Sequence, residues 1–412
     1  MSANLLKKIK RGLLVAFKFP LFVLAIPFVL VMRLMRPFLL VRIGALRSDR
    51  IGHFAGNTEM FLCEKDAGID SPSKPFLDLF YLGGSVCNEQ LAKMWRRIIP
   101  VLPFWLLHPV VRVNRLIPGG ALHEHNCYSH GGRDAYNLLD RFPPHLQFTD
   151  EEEKRGAFML QEMGIPLGAP IVCLNVRDGA YLEAHLKEYD WSYHNYRDSD
   201  IQNYVFAAEE LAGRGYYVIR MGAKVHKALQ SDHPKVIDYA TNGMRSDFMD
   251  IYLGAKCTFC ISTGTGWDEI PHQFRRPIVY VNYVPIGYMC SSSSNLLTIT
   301  KKHVSEVLQK ELTLKEIFSY GVGFSGLASE FNSKGIKLVE NTPEEIRNVA
   351  IEMIERLNLN WKVHEDEELL QMRFREIYLY MIREKEQGKV FHGEIRGRYG
   401  DAFLRNNRVW LQ

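Results

Sequence analysis

The sequence has little of what marks several common classes of protein. Its 412 residues carry 51 Lys and Arg against 47 Asp and Glu, so the formal net charge is only +4. This near balance argues against a dedicated nucleic-acid-binding protein. It also contains no internal repeat or low-complexity tract. The length and the 47% of hydrophobic residues therefore predict a globular protein of two packed domains.

Cysteine and metal-binding patterns are also sparse. The seven cysteines are an odd number and lie mostly in apolar runs, which is typical of reduced thiols in a cytosolic compartment. Cys257 and Cys260 have CxxC spacing, but neither a second pair nor a histidine cluster accompanies them. Asp198 and Asp200 precede a predicted helix, where either is more simply an N-cap than part of a metal motif. No metal dependence is predicted.

The positive charge is unevenly placed, and residues 1–37 form a basic and hydrophobic segment. Phe19–Met32 is an unbroken apolar run, with basic residues before it at Lys7, Lys8, Lys10, Arg11 and Lys18 and after it at Arg33 and Arg36. The flanking charges predict association with the anionic cytoplasmic face of the inner membrane. A peripheral or monotopic helix and a single span that includes Gly12–Phe17 both remain open. A buried core helix is the alternative without a membrane.

The rest of the chain reads as alternating helices and strands, which predicts an α/β fold with parallel sheets. We assign residues 38–147 to an N-terminal α/β domain, 148–360 to a C-terminal α/β domain, and 361–412 to a helical extension and tail. Strands are predicted at Phe38–Ile43, Leu77–Leu82, Val110–Val113, Ile171–Val176, Tyr216–Met221, Val236–Tyr239, Cys257–Ile261 and Pro277–Val281. Polar loops at the carboxyl ends of such strands are where ligands bind in α/β proteins.

The small-residue loop Ser262–Gly266 joins a predicted strand to a helix-like turn. Gly264 and Gly266 permit close approach of the backbone to an anion, while the hydroxyls of Ser262, Thr263 and Thr265 can donate hydrogen bonds. The loop matches neither the dinucleotide nor the P-loop spacing, and an ordinary strand-to-helix turn is the alternative. We expect it to hold the diphosphate of a nucleotide.

Charged residues follow the neighbouring strands of the second domain. Arg177, Arg220 and Lys224 are predicted to converge with the loop on phosphate oxygens, because guanidinium groups match phosphate geometry; solvated or ion-paired roles are the alternative. Asp268, just past the glycines, is a candidate for sugar or ribose hydroxyls or a first-turn helix residue that complements the dipole.

Two further loops carry candidate functional residues. After the first strand, His53 is a candidate general base, with Asp49 or Glu59 orienting it or acting instead, as deprotonation of a sugar hydroxyl requires; structural hydrogen bonding is the alternative. In the second domain an aromatic loop is a candidate for contacts with a sugar or base, or else a surface cluster. Its aromatic residues are Tyr189, Trp191, Tyr193, Tyr196 and Tyr204.

Several segments resemble a family of bacterial glycosyltransferases of surface polysaccharide loci. They are RIGALRSDRIGHFAGNTEMFL, YHNYRDSDIQNYVFAAEELAGRGYYVIRMG, DYATNGMRSDFMDIYLGAKCTFCISTGTGWDEIPHQFRRPIVYVNYVPIG and ENTPEEI. The resemblance implies two Rossmann-like domains facing a cleft, the GT-B-like arrangement, usually without a metal. It also implies a nucleotide-sugar donor as substrate rather than a cofactor, held mainly by the C-terminal domain, with a glycan or lipid-linked acceptor on the N-terminal one.

A membrane-associated glycosyltransferase that extends a lipid-linked or envelope glycan is therefore the leading interpretation. A nucleotide-sugar epimerase on the same scaffold and a non-catalytic component of a polysaccharide assembly are the alternatives. An epimerase would convert donor without acceptor, whereas a non-catalytic component would keep its biological activity after substitution of His53 or Arg177.

Overall fold

The computed structural model describes residues 20–127, 133–185, 190–290, 292–386 and 392–412. The chain divides into two compact units, Met1–Gly132 (unit 1) and Arg133–Gln412 (unit 2). Each unit has its own parallel sheet, as the alternation of helices and strands predicts.

Unit 1 is a small α/β unit. Helix α1 occupies residues 20–35. The elements that follow are β1 (Leu40–Leu46), a π-helical turn (His53–Asn57), α2 (Thr58–Asp66), β2 (Phe76–Leu82), α3 (Glu89–Ile98) and α4 (Phe104–Arg115). Strands β1 and β2 pair in parallel along their whole length. Helix α3 begins where Asn88 Oδ1 accepts a hydrogen bond of 2.8 Å from the Leu91 N–H, a side-chain N-cap.

The predicted strand Val110–Val113 is wrong, because these residues belong to α4. Their β-branched side chains favour a strand by propensity. However, Leu107, Val110, Val111 and Val113 are all buried in one apolar cluster with α1, β1 and β2, at a spacing that a helix face provides. Tertiary packing therefore decides the local structure here.

The N-terminal segment is only partly within the described structure. Residues 1–19, which include the basic positions from Lys7 to Lys18, lie outside the described residues. Across the part of the chain that the structure covers, no helix combines the length and the apolar character needed to cross a membrane.

Unit 2 is built on a seven-stranded parallel sheet with the order β12-β8-β7-β6-β3-β4-β5. Its strands are β3 (Ile171–Asn175), β4 (Tyr217–Arg220), β5 (Val236–Ile237), β6 (Phe259–Ser262), β7 (Ile278–Tyr283), β8 (Leu296–Thr300) and β12 (Arg398–Tyr399). A second, antiparallel sheet contains β9 (Lys302–Ser305), β10 (Lys310–Glu311) and β11 (Ile336–Val339).

Helices flank the large sheet. They are α5 (Asp150–Glu162), α6 (Ala180–His185), α7 (Val205–Gly213), α8 (Asp247–Lys256), α9 (Glu269–Gln273), α10 (Leu314–Ser319), α11 (Ala328–Ser333), α12 (Pro343–Leu357), α13 (Glu367–Glu386) and α14 (Asp401–Asn406). Thr149 and Glu152 form a capping box at the start of α5, and Thr342 and Glu345 form another at the start of α12.

The boundaries differ from the predicted ones at both ends of unit 2. The break falls after residue 132 rather than 147, because the intervening segment is bonded into unit 2: Asn137 Nδ2 donates to the carbonyls of Ser292 (2.6 Å) and Glu394 (2.8 Å). The predicted separate extension 361–412 is part of the same unit. Its β12 pairs with β8, and Trp410 lies in the main core.

Candidate functional site

The carboxyl edge of the large sheet in unit 2 carries the loop Ser262–Gly266, which follows β6. Gly264 has a φ of +75°, in the left-handed region. A Cβ on this residue would lie 2.7 Å from Cε2 of Tyr283, which is too close for any side chain. The tight turn and the nearby ring together explain the glycine.

Asp268 holds this loop in shape. Its Oδ2 accepts hydrogen bonds from the Ser262 hydroxyl (2.7 Å) and from the Thr265 N–H (2.8 Å), while the Gly264 N–H donates to Ser262 Oγ (3.2 Å). The side chain is only 3% exposed. Burial raises the pKa of Asp268 to about 7, and the neighbouring Glu269 charge adds to the increase. Asp268 therefore stabilises the loop itself and stands directly before α9, close to the second of its two predicted roles.

A helix N-terminus contributes little at this loop. Helix α9 begins only at Glu269 and is five residues long, so few aligned peptide dipoles follow the loop. The N–H of Thr263 also has an acceptor, the Asn175 carbonyl at 3.2 Å. Any anion at this edge depends mainly on charged side chains.

Two arginines supply charge at the loop. The Arg177 N–H donates to Thr263 Oγ1 (3.0 Å), and its Nε lies 3.1 Å from Asp198 Oδ1. Arg197 donates from its guanidinium group to the Gly264 carbonyl. Burial lowers the pKa of Arg177, and the like charge of Arg197 lowers it further. These two guanidinium groups therefore lie near each other on one loop.

Lys301 adds a third cation. It follows β8, is 5% exposed, and donates from Nζ to the Asp198 carbonyl at 2.5 Å. Burial lowers the pKa of Lys301 and raises that of Asp198, whereas the Arg177 and Lys301 charges act on Asp198 in the opposite direction. We call Arg177, Arg197 and Lys301 the cationic cluster. The Asp198 carboxylate pairs with Arg177, whereas Lys301 bonds to the Asp198 backbone and is influenced by the charges of Glu340 and Asp198.

Tyrosines border the cationic cluster. The Arg177 and Arg197 charges both act on Tyr196, whose pKa burial raises, and Arg197 also acts on Tyr283. The guanidinium of Arg133 lies 4.2 Å from the ring centroid of Tyr288, a cation–π contact. Flat rings beside guanidinium groups suit a planar ligand next to an anionic one.

Arg220 and Lys224 are placed differently from the prediction that they converge with the loop Ser262–Gly266 on phosphate oxygens. Arg220 is 1% exposed, with its guanidinium 3.2 Å from Asp238 Oδ1 and 4.0 Å from Asp178 Oδ2. It ties the ends of neighbouring strands together. Lys224 is exposed in the loop after β4. Of the three residues expected at the loop, Arg177 bonds to it, through its backbone N–H.

The aromatic loop is partly at the surface and partly in the core. Tyr189 lies outside the described residues. Trp191 and Tyr193 stack with ring centroids 5.8 Å apart. Tyr204 is fully buried and accepts a hydrogen bond of 3.0 Å from Asn282 Nδ2, so it has a structural role. The predicted N-cap role of Asp200 is confirmed by its bond from the Gln202 N–H (3.2 Å).

In unit 1 the loop after β1 carries Asp49 and His53. Asp49 is exposed, and a Cβ on Gly84 would lie 3.3 Å from its Cβ. His53 opens the π-helical turn, with Nδ1 3.4 Å from Asn57 Nδ2. Burial lowers the pKa of His53, and the Arg47 charge lowers it further. The imidazole is therefore neutral near pH 7 and able to accept a proton.

Glu59 is placed differently from these two residues. It lies in the first turn of α2 and is 1% exposed, and the Cys63 thiol lies 3.8 Å from its Oε1. Its carboxylate faces the interior of unit 1, whereas Asp49 faces solvent.

Sequence reasoning missed Arg197 and Lys301 as members of the cluster. Arg197 stands within the aromatic loop, and no local pattern there indicates a contact with Gly264. Lys301 follows β8, a strand that the pattern did not reveal, so nothing placed it at the same edge as Ser262–Gly266.

Two solved structures are similar to part of this chain. E. coli ADP-heptose LPS heptosyltransferase II is 12% identical with a TM-score of 0.39, over 63% of this chain and 90% of that one. A glycosyl transferase of family 9 from Veillonella parvula DSM 2008 is 10% identical with a TM-score of 0.41, over 63% and 86% respectively. No protein-family profile and no curated protein matches the sequence.

Proposed function

We propose that this protein is a glycosyltransferase that moves a sugar from a nucleotide-sugar donor to a lipid-linked or envelope glycan. We place it at the cytoplasmic face of the inner membrane, in bacterial surface polysaccharide biosynthesis. The observation that carries the proposal is the cationic cluster at the carboxyl edge of the sheet in unit 2. Ligands of α/β proteins bind at that edge.

The chemistry of the cluster suits a diphosphate. Transfer of a sugar breaks the bond between its anomeric carbon and the diphosphate, which leaves with the bonding electrons and gains negative charge. Fixed cations stabilise such charge as it develops. The carboxylates of Asp198 and Glu340 partly offset the charges of Arg177 and Lys301, and Arg197 adds a third positive group beside Gly264. The three side chains provide charge of the kind that a metal supplies in other transferases.

Unit 1 supplies the proposed base. The lowered pKa of the His53 imidazole keeps it unprotonated near pH 7, the state that a base needs to take the proton from an acceptor hydroxyl. Asp49, in the same loop, raises the pKa of His53 and so stabilises the imidazolium that forms.

Binding of UDP, GDP, CDP and CMP, each also as its sugar conjugate, tests the donor site by calorimetry without metal. Arg197→Ala should weaken binding of the preferred diphosphate by roughly 10- to 100-fold, since a hydrogen bond to a charged group contributes about 1.5–3 kcal/mol. The matched control is Lys224→Ala, which removes an exposed cation from a neighbouring loop and should bind as the wild type does.

Turnover is measured with the preferred donor and a membrane extract as the source of acceptor. Release of free nucleotide that depends on the extract supports transfer, and His53→Ala should abolish most of it while leaving donor affinity unchanged. Donor conversion without extract would point instead to an epimerase. Absence of binding by every nucleotide would refute the proposal.

A further inference from the structure

Helix α1 has one face packed into unit 1. Ala25, Val29 and Met32 are at most 7% exposed and lie in one apolar cluster with residues of β1, β2 and α4. These three positions follow one another at helical spacing, so they form a single inward stripe. The helix is therefore part of the folded unit.

The opposite face of α1 is equally apolar but open to solvent. Leu24 is 61% exposed, Phe28 60%, Val31 54% and Leu34 79%. These spacings place the four side chains on one outward stripe, which we call the outer face of α1. Residues 19–32 contain no charged or polar side chain, and Phe38, just beyond the helix, is 81% exposed. A continuous apolar surface of this kind is unusual on a protein surrounded by water.

The charge around α1 indicates what covers this surface. The first 48 residues contain nine Lys and Arg and no Asp or Glu, although the whole chain is nearly balanced. An apolar stripe within a purely basic segment complements an anionic lipid surface, whose headgroups attract the cations while its acyl region takes up the apolar side chains.

Arg33 fixes the orientation of α1 on unit 1. Its guanidinium donates to Asn114 Oδ1 (3.0 Å from Nε), to the Ile117 carbonyl (3.0 Å) and to the Pro118 carbonyl (2.7 Å). These bonds tie the end of α1 to the end of α4. A helix that left this position to cross a bilayer would break them and would uncover Ile43 and Leu107.

We propose that the outer face of α1 docks unit 1 on an anionic bilayer, with the helix lying in the plane of the interface and its inner face still packed on the protein. This deepens the membrane location within the proposed function, because it names the surface and selects a monotopic attachment over a span. The assay below measures no turnover, so the docking surface and the transferase activity can fail separately.

The test is cosedimentation of the full chain with lipid vesicles. One set contains phosphatidylcholine alone and the other contains phosphatidylcholine and phosphatidylglycerol in equal parts. The wild type should bind the anionic vesicles more tightly, and raising the salt concentration should reduce that preference. The triple variant Leu24→Glu/Phe28→Glu/Val31→Glu should bind them roughly 100-fold more weakly, since three apolar side chains no longer enter the bilayer.

A matched control carries three glutamates at exposed apolar positions of unit 2, Val307→Glu/Leu359→Glu/Val363→Glu, which are 80%, 93% and 66% exposed. This control should bind vesicles within about twofold of the wild type. If the outer-face triple variant fails to fold by circular dichroism, Phe28→Ser and Leu34→Ser replace it. Equal binding by the outer-face variant and the wild type overturns the proposal, as does equal binding to both vesicle sets.

Two further measurements separate other arrangements. Val29→Ala should lower the thermal stability of the lipid-free protein but leave vesicle binding intact, because Val29 faces the protein; unchanged stability would contradict the monotopic arrangement. Sedimentation velocity without lipid should show the same oligomeric state for the wild type and the outer-face variant. The contrary result is a wild-type dimer that the outer-face substitutions abolish. Such a dimer would identify a second copy of the chain as the occupant and overturn the proposal.

Discussion

Replacement of Asp268 by asparagine should make the protein progressively more stable than the wild type as the pH rises from about 4 to about 7, and leave it nearly unchanged below about pH 4. The buried carboxyl accepts bonds from Ser262 and Thr265. An asparagine oxygen at the Oδ2 position can still accept from both the Ser262 hydroxyl and the Thr265 N–H. The substitution therefore keeps the shape of the loop and removes the charge.

The magnitude follows from the pKa of Asp268, which burial raises from 3.8 to about 7. The folded protein then holds a proton that the unfolded chain releases, so the free energy of unfolding falls as the pH rises through this range and levels off above it. At about 1.36 kcal/mol per pH unit the wild type loses on the order of 4 kcal/mol. Asp268→Asn should escape this loss.

Urea titrations at about pH 5.5 and about pH 8.5 measure the part of this loss that falls between about pH 5.5 and about pH 7, about 2 kcal/mol. The control is Asp232→Asn, an exposed loop carboxylate whose substitution should shift stability little and equally at both pH values. The wild type and Asp268→Asn could instead differ in unfolding free energy by the same amount at both pH values. That result would show that burial does not raise the pKa of Asp268, and the reasoning would fail.

Two other predictions concern buried polar contacts and the end of the chain. Asn341→Ala should destabilise the protein by about 2–4 kcal/mol in urea titrations, because it leaves the Asn282 N–H and the Thr300 carbonyl without their partners; a loss below about 1 kcal/mol would contradict this, and exposed Asn358→Ala is the control. Trp410→Ala should cost about 3–5 kcal/mol because the ring is 5% exposed within the main core, whereas exposed Val409→Ala should cost little. Equal stability of these two variants would show that residues 361–412 are separate from unit 2.

The sequence predicts the regular parts of unit 2 well. Strands such as Ile171–Asn175 and Ile278–Tyr283 are short apolar runs between polar loops. Capping boxes that begin at Thr149 and Thr342 mark the starts of two helices. The strands Leu296–Thr300 and Lys302–Ser305 were not predicted. They follow one another almost directly but belong to two different sheets. Pairing with strands distant in the sequence determines which sheet each one joins.

The candidate site was predicted in part for a similar reason. Arg177 follows a recognisable strand and lies at the loop as expected. Arg220, by contrast, ends its strand with its side chain between Asp178 and Asp238, and no local pattern tells a ligand-facing arginine from one that pairs with buried carboxylates. The position of Lys301 could be predicted only if β8, the strand that it follows, had been predicted as well. Side-chain direction at a strand end is a tertiary property.

The edge strand Arg398–Tyr399 has a consequence for how the protein is made. It completes the large sheet beside Leu296–Thr300, and Trp410 and Leu411 complete the core, yet the ribosome synthesises these residues after all the other strands. Unit 1 can fold while translation continues, since domains fold as they emerge. Unit 2 must wait with an open sheet edge until nearly all of the sequence has left the exit tunnel, so prematurely terminated chains should be substrates for chaperones and proteases.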